Sequence, residues 1–292
     1  MKAVSVTHVH LLAVINTELS RWPDGATVRL LDIGCGDGRL LAYLGEELVQ
    51  LRPNLCLELY GVDVRDHGVQ AAGFMERTVA FLAAAQPDRP WHERVLSIAD
   101  GEAWPFPQDF FHLSVSNQVG EHVLDHAHFF GEVRRTLIRG GISAHLFPLR
   151  HYILEGHLLL PFVHRIRNID LLRAFIRTCS RLGLGKFPRF QKSGGVRLED
   201  FTERHADYMH FFTNYLTQKE VMAEAKRQRL RVSFRYTQGF YTNKLRTMAR
   251  LRPLLHYRRN RSAVLDWAAT LLLRYVSSVT VFLENDETYT RG

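Results

Sequence analysis

Apolar positions fall along the first half of the chain in short runs separated by longer amphipathic stretches. VRLLDI (28–33), LELYGVDV (57–64), ERVLSIAD (93–100), FFHLSVSN (110–117) and GGISAHLFP (140–148) read as strands. Between them, RLLAYLGEELVQLR, VQAAGFMERTVAFLAAA and HAHFFGEVRRTLI carry apolar residues at helical spacing. Strands alternating with helices predict a parallel sheet covered on both faces. The opening MKAVSVTHVHLLAVINTELSRW carries His8, His10 and Glu18 among its apolar residues and lacks a small-residue cleavage site. It predicts an amphipathic helix packed on the domain rather than a secretory leader.

The second half has another texture. Residues 149–215 are rich in His, Phe and Arg and show no clean alternation. TQKEVMAEAKRQRL then predicts a helix, RVSFRYTQGF a strand, AVLDWAATLLLRY a helix and SSVTVFLEN a final strand. The expected organisation is a core over 1–148, a lid or acceptor-binding insertion over 149–215, and the remainder of the core over 216–292. A basic insertion near 240–262 interrupts the last part.

Charge sharpens this division. Residues 1–150 hold 13 Lys/Arg against 18 Asp/Glu, and residues 151–292 hold 25 against 12, within a net charge of +8. The halves therefore face different partners or do different jobs. The cysteines Cys35, Cys56 and Cys179 are too scattered for a disulfide framework or a zinc cluster, which suits a reducing, cytoplasmic compartment. The most apolar stretch, AVLDWAATLLLRYVSSVTVFL, is broken by Asp266 and Arg274, so no membrane span is predicted. The basic segment holds Lys244, Arg246, Arg250, Arg252, Arg258, Arg259 and Arg261, interleaved with Leu245, Met248, Leu251, Leu254 and Leu255. A solvated helical face is the ordinary use of such a segment. The interleaving fits a peripheral contact with the inner membrane surface better than a nucleic-acid stripe.

The chemistry concentrates at LLDIGCGDGRLL. A strand ends at Ile33, and Gly34, Gly36 and Gly38 turn the chain into a helix whose first N–H groups face an anion. The spacing is G-x-G-x-G, not the G-x-G-x-x-G of the dinucleotide fingerprint. Alone it would serve equally as a tight turn. Asp63 ends the second strand, where a carboxylate can accept both hydroxyls of a ribose. Asp100-Gly101 follows the third strand and SNQVGEH (116–122) the fourth. All lie at the carboxyl ends of parallel strands, where open α/β sheets bind ligands.

These residues resemble the class I S-adenosylmethionine-dependent methyltransferases. Asp32-Ile33-Gly34-Cys35-Gly36-Asp37-Gly38 is similar to that family's E/D-x-G-x-G-x-G. Asp63 corresponds to its ribose-binding acid, and Asp100 to the acid near adenine. ADGEAWPFPQDFFHLSVSN resembles D-x-x-x-L-P-F-x-D-x-x-F-D, and Glu121-His122 an E-H pair after the fourth strand. The resemblance implies an α/β fold: a Rossmann-like seven-stranded, mostly parallel sheet with helices on both faces and a largely helical lid. It implies S-adenosyl-L-methionine as cofactor, held by Asp32, Gly34, Cys35, Gly36, Gly38, Asp63, Val64, Asp100, Gly101, Asn117 and Gln118. Three positions depart from the pattern. His112 stands for Asp, Gly120 for Leu, and Gln118 for the first carboxylate of the Glu-x-x-Glu-His metal set of some O-methyltransferases. The last substitution predicts no metal.

The acceptor side starts at HYILEGHLLLPFVHR (151–165). At helical spacing Glu155 would lie one turn from His151, and His157 two turns from His164. A single histidine here is ordinarily a lid or packing residue. A cluster directly after the fifth strand can also supply a base. The E-x-H-x-x-x-P-x-x-H pattern resembles methyltransferases encoded with surface-polysaccharide enzymes. His157, then His122, are the expected bases, with Glu121 beside them. The expected activity is O-methylation of a small molecule such as a sugar, a glycolipid or a related metabolite, with an anionic or lipid-linked acceptor in view. An RNA or protein methyltransferase is the second reading. SNQV stands where many nucleic-acid enzymes carry N/D-P-P-Y/F, and no recognition module is visible, so no nucleic acid is expected. A non-catalytic cofactor-binding domain is the third.

Overall fold

The computed structural model describes residues 5–65, 73–260 and 262–286. Nine strands are described: β1 (Thr27–Ile33), β2 (Cys56–Val64), β3 (Val95–Ile98), β4 (Phe111–Asn117), β5 (Leu137–Pro148), β6 (Leu154–Glu155), β7 (Leu160–Pro161), β8 (Arg231–Ser233) and β9 (Ser278–Glu284). The helices are α1 (Val6–Glu18), α2 (Arg39–Leu51), α3 (Phe74–Ala85), α4 (Trp91–Arg94), α5 (His126–Thr136), α6 (Ile169–Arg181), α7 (Phe187–Gly194), α8 (Leu198–Phe211), α9 (Gln218–Arg227), α10 (Thr237–Met248) and α11 (Ala263–Leu273).

The central sheet has seven strands in the order β3-β2-β1-β4-β5-β9-β8. Strands β1 to β5 pair in parallel, and β9 runs antiparallel to both β5 and β8. This is the Rossmann-like, mostly parallel sheet that the strand runs predict. Its central strands are buried on both faces, so they read as continuous apolar runs rather than as alternation. One apolar cluster joins α1, α2 and α10 to the sheet through residues such as Leu11, Leu41 and Phe240. A second lies on the other face around Phe130, Val133 and Val221, under α5 and α9. Strand order reverses between β1 and β4, the position at which a crevice opens beyond the carboxyl ends of the strands.

Between β5 and α9 the chain forms the β6–β7 hairpin and helices α6 to α8. They enclose a third apolar cluster that includes Leu158, Ile176, Phe201 and Tyr215. This insertion therefore carries its own small core. No helix among the described residues is long and apolar enough to cross a membrane.

Three expectations are corrected, and one lies partly outside the described residues. Helix α1 is not amphipathic: every residue from His8 to Glu18 is buried, because α10 covers the side turned away from the sheet. RVSFRYTQGF is a strand only over Arg231–Ser233; Tyr236 adopts φ +71° and the chain then turns into α10. Aromatic and β-branched residues there serve a buried helix face, which periodicity over so short a run does not separate from a strand. The helix expected from Val69 is described from Phe74, its first residues lying outside the described set, as do Met1–Val4 and Arg261. Finally, 151–165 forms the β6–β7 hairpin and one 3-10 turn at Val163–Arg165 rather than an α-helix, so the pairing of His151 with Glu155 does not occur.

Candidate active site

The glycine turn follows directly from β1. Gly34, Gly36 and Gly38 have φ of +69°, +52° and +76°, a region that side chains rarely adopt. Their neighbours differ. A Cβ on Gly34 would sit 2.4 Å from Val119, and one on Gly38 would sit 2.9 Å from Leu82, whereas one on Gly36 would meet nothing within 4 Å. Gly36 thus faces open space. Asp63, at the end of β2, reaches across and accepts from the Gly36 N–H at 2.6 Å and the Val64 N–H at 2.7 Å. These two bonds fix the turn after β1 to the end of β2.

A cleft of about 300 Å³ opens here. Gly34, Gly36, Asp63, Val64, Asp100, Gly101, Asn117 and Gln118 line it, with Trp104, Phe129, His122 and Tyr208. Asp32, Cys35 and Gly38 stand behind the turn instead. The Cys35 side chain packs into the core beneath Gly61, and burial raises its thiol well above the usual value. The Asp32 carboxyl is buried with neither oxygen hydrogen-bonded. Burial, followed by the charges of Asp63 and Asp37, pushes it well above the ordinary carboxylate range. Gln118, at φ +57°, donates its amide to Leu146 O (3.2 Å) and to Ser278 Oγ (2.9 Å).

The departures from the family pattern have local causes. A Cβ at Gly120 would lie 2.7 Å from the ring of Phe147, so no leucine fits. His112 Nδ1 accepts from the Arg29 N–H at 3.1 Å, in place of a carboxylate.

A second, smaller cavity adjoins the cleft at Gln118 and is lined by Glu121, Tyr152, Leu154, Gly156, His157, Ser277 and Ser278. Here Glu155 is the organising group. One oxygen receives the His157 Nδ1 at 2.6 Å, the His157 N–H at 2.9 Å, and the hydroxyls of Tyr152 (3.1 Å) and Tyr215 (3.2 Å). The other accepts from the Leu158 N–H at 2.7 Å. Burial pushes this carboxyl up, but His157 and the two backbone donors outweigh it and hold it at about 2. An ionised Glu155 accepts only, so Nδ1 of His157 is the nitrogen that donates to it.

His122 donates Nδ1–H to Phe212 O at 2.8 Å. Its ring lies 5.5 Å from that of His157, and Tyr208 from α8 packs against both, 5.9 Å from His122 and 5.1 Å from His157. Glu121 is buried beside them, and burial followed by the charge of Glu155 raises it to about 8. His164 instead donates Nε2–H to Arg150 O, and His151 packs edge-on against Tyr275. The structure thus brings together His122, Glu121 and His157 and leaves His151 and His164 apart.

Sequence reasoning missed Tyr208, Tyr152, Tyr215, Trp104 and Phe129. Trp104 was within reach, since it replaces the leucine of the D-x-x-x-L-P-F pattern. The three tyrosines carry no local signal, because each is brought in by the lid's tertiary packing.

Residues 31–144 match the family described as a methyltransferase domain. The chain carries a class I S-adenosylmethionine-dependent methyltransferase domain. No curated protein matches the sequence. Among solved structures, the YcgJ protein of Bacillus subtilis is similar at 15% identity and TM-score 0.48, covering 95% of this chain and 99% of that one. A methyltransferase of Mesorhizobium loti is similar at 16% and TM-score 0.47, with 91% and 94% covered. The cofactor of this methyltransferase is S-adenosylmethionine, and the residues present fit it. Asp32, buried behind the turn, keeps both carboxyl oxygens without a hydrogen bond, an orphaned polar pair beneath the methionine end. Gly36 forms a cradle that a side chain would fill, and Asp63 and Asp100 offer acceptors beyond it.

Proposed function

We propose that this methyltransferase methylates an oxygen of a small molecule bound between the cofactor cleft and the second cavity, with His157 as the general base. Gly34, Gly36 and Asp32 would hold the methionine end of the cofactor, Asp63 the ribose, and Asp100 with Trp104 and Phe129 the adenine. When bound, S-adenosylmethionine supplies an electrophilic sulfonium methyl. The chain's own task is then to align a hydroxyl and remove its proton.

The observation that carries the reading is the Glu155–His157 pair. Nδ1–H is committed to a carboxylate that five donors keep in place, so Nε2 is the ring atom that can take a proton. As it does so, the positive charge of the imidazolium is offset by Glu155. The Nδ1–H of His122 goes to a backbone carbonyl, and a neutral carbonyl offsets an imidazolium less well than the Glu155 carboxylate does. His122 and Tyr208 would instead shape the wall between cofactor and acceptor. The acceptor is a hydroxyl compound such as a sugar, a glycolipid or a related metabolite.

The test begins with an acceptor found by screening fractions with labelled cofactor. His157→Ala lowers kcat by about 10²–10⁴-fold, the usual cost of losing a general base, while affinity for S-adenosylhomocysteine stays near wild type. His122→Ala costs less. A His157→Ala enzyme that keeps most of its rate would overturn the assignment.

A further inference from the structure

We propose that the outward face of α11, with the arginine-rich loop before it and the β6–β7 hairpin beside it, docks on the surface of an anionic lipid bilayer.

Helix α11 is built inside out. The residues it buries are polar, Asp266 and Thr270, four positions apart. The residues it turns outward are apolar: Val264, Leu265, Trp267 and Leu272 are between 57% and 75% exposed. A helix on a water-facing surface orients its stripes the other way. Side by side with it lies α10, held by the Tyr241 hydroxyl on Leu273 O at 2.9 Å. Its last turn exposes Leu245 and Met248, the latter at 81%.

Charge decides what covers this face. The loop from α10 to α11 exposes Arg250, Arg252 and Arg258, none of which has an acidic partner among the described residues. The one acid of α11, Asp266, points inward. A second copy of the chain, related by a twofold axis, would bring these same arginines face to face. A layer of anionic headgroups instead neutralises them while the leucines and Trp267 enter the acyl boundary.

The face also leads to the second cavity. Tyr275, just past α11, accepts from the Ile153 N–H at 3.0 Å, which ties the hairpin to the helix end. Ile153, Leu154, Leu159 and Phe162 are exposed on that hairpin, and Leu154 lines the cavity with His157. An amphiphilic acceptor standing in the bilayer would therefore meet His157 from the membrane side. This last point rests on the general-base reading above; the docking itself does not.

The experiment is sedimentation of the full chain with vesicles of phosphatidylglycerol and phosphatidylcholine, compared with phosphatidylcholine alone. The expected result is binding to the anionic vesicles, weakened at about 1 M salt, where screening acts within ~3 Å. Leu265→Glu/Leu272→Glu lowers partitioning by about tenfold or more per leucine. Arg250→Glu/Arg252→Glu weakens it independently. Both variants bind S-adenosylhomocysteine as wild type does, which reports an intact fold. Equal sedimentation with and without phosphatidylglycerol would overturn the proposal, as would variants that bind undiminished. So would a dimer of the wild type in analytical ultracentrifugation that Leu265→Glu/Leu272→Glu dissolves. Vesicle binding is read without turnover, so its failure leaves the His157 assignment standing, and the reverse also holds.

Discussion

The two sides of the active site are made of different material. On the cofactor side the turn is set by backbone: three glycines at positive φ whose N–H groups bond Val62 O, Asp63 and Cys35 O, so that one carboxylate, Asp63, pins the turn. On the acceptor side the contacts come from side chains, Glu155, His157, His122 and Tyr208, drawn from the loop after β4, a hairpin and a lid helix. A backbone site is specified by local conformation, so it depends on a few consecutive residues. A side-chain site is specified by packing between distant segments, so each member depends on the others. The first suits a cofactor common to many enzymes. The second can be rebuilt for a new acceptor without disturbing the sheet.

The sharpest way to break this contrast is Gly36→Val. A β-branched residue at φ +52° costs roughly 1–3 kcal/mol in strain and fills the cradle, so affinity for S-adenosylhomocysteine falls by about 100-fold. Calorimetry checks this, and melting of the lid core should be unaffected. Next comes Asp63→Ala, expected to weaken cofactor binding by roughly 1.5–3 kcal/mol. Because Asp63 also accepts from Gly36 and Val64, a fall in melting temperature accompanies the loss. If affinity drops while melting is unchanged, Asp63 serves only the ligand.

On the side-chain half, Glu121 gives a pH test. Its folded value, about 8, lies above the ordinary 4.5 of the unfolded chain. Stability from this group is therefore fully present below pH 4.5 and is lost as pH rises through 8. Glu121→Gln removes that dependence, so melting curves of variant and wild type diverge towards pH 8, with the variant higher by several degrees, at about 2–4 °C per kcal/mol. Parallel curves from pH 5 to 8 would count against it. The smallest expected effect is that of EDTA. Gln118 commits its amide to Leu146 and Ser278, and an amide contributes no charge to a divalent ion. Activity should be unchanged; loss with EDTA and recovery with magnesium would refute this.

The same contrast explains what the sequence made legible. β1 to β5 and the glycine turn are readable because their signals are local: apolar runs of strand length, then residues that only a left-handed turn needs. Asp63 and Asp100 were readable from their places after strands. The Glu155–His157 pair was not, because its residues sit in a hairpin whose two-residue strands leave no periodicity, and helical spacing assigned them other partners. Tyr208 arrives from α8, more than fifty residues away from Glu155 in sequence, and nothing near it marks the role. Helix α11 was legible as a helix, yet its inverted orientation depends on what α10 and β9 offer it.

Helix α1 has a consequence for how the chain is made. His10, fully buried, places Nδ1 against the Tyr257 hydroxyl and Nε2 against Thr280 Oγ1, partners 247 and 270 positions later. Until those residues leave the ribosome, both ring nitrogens must stay in water, and the helix cannot settle between the sheet and α10. Its docking closes a loop nearly as long as the chain, and such closures come late and slowly. Meanwhile α1 is an unusually greasy segment with nowhere to go, a natural client for whatever shields nascent chains.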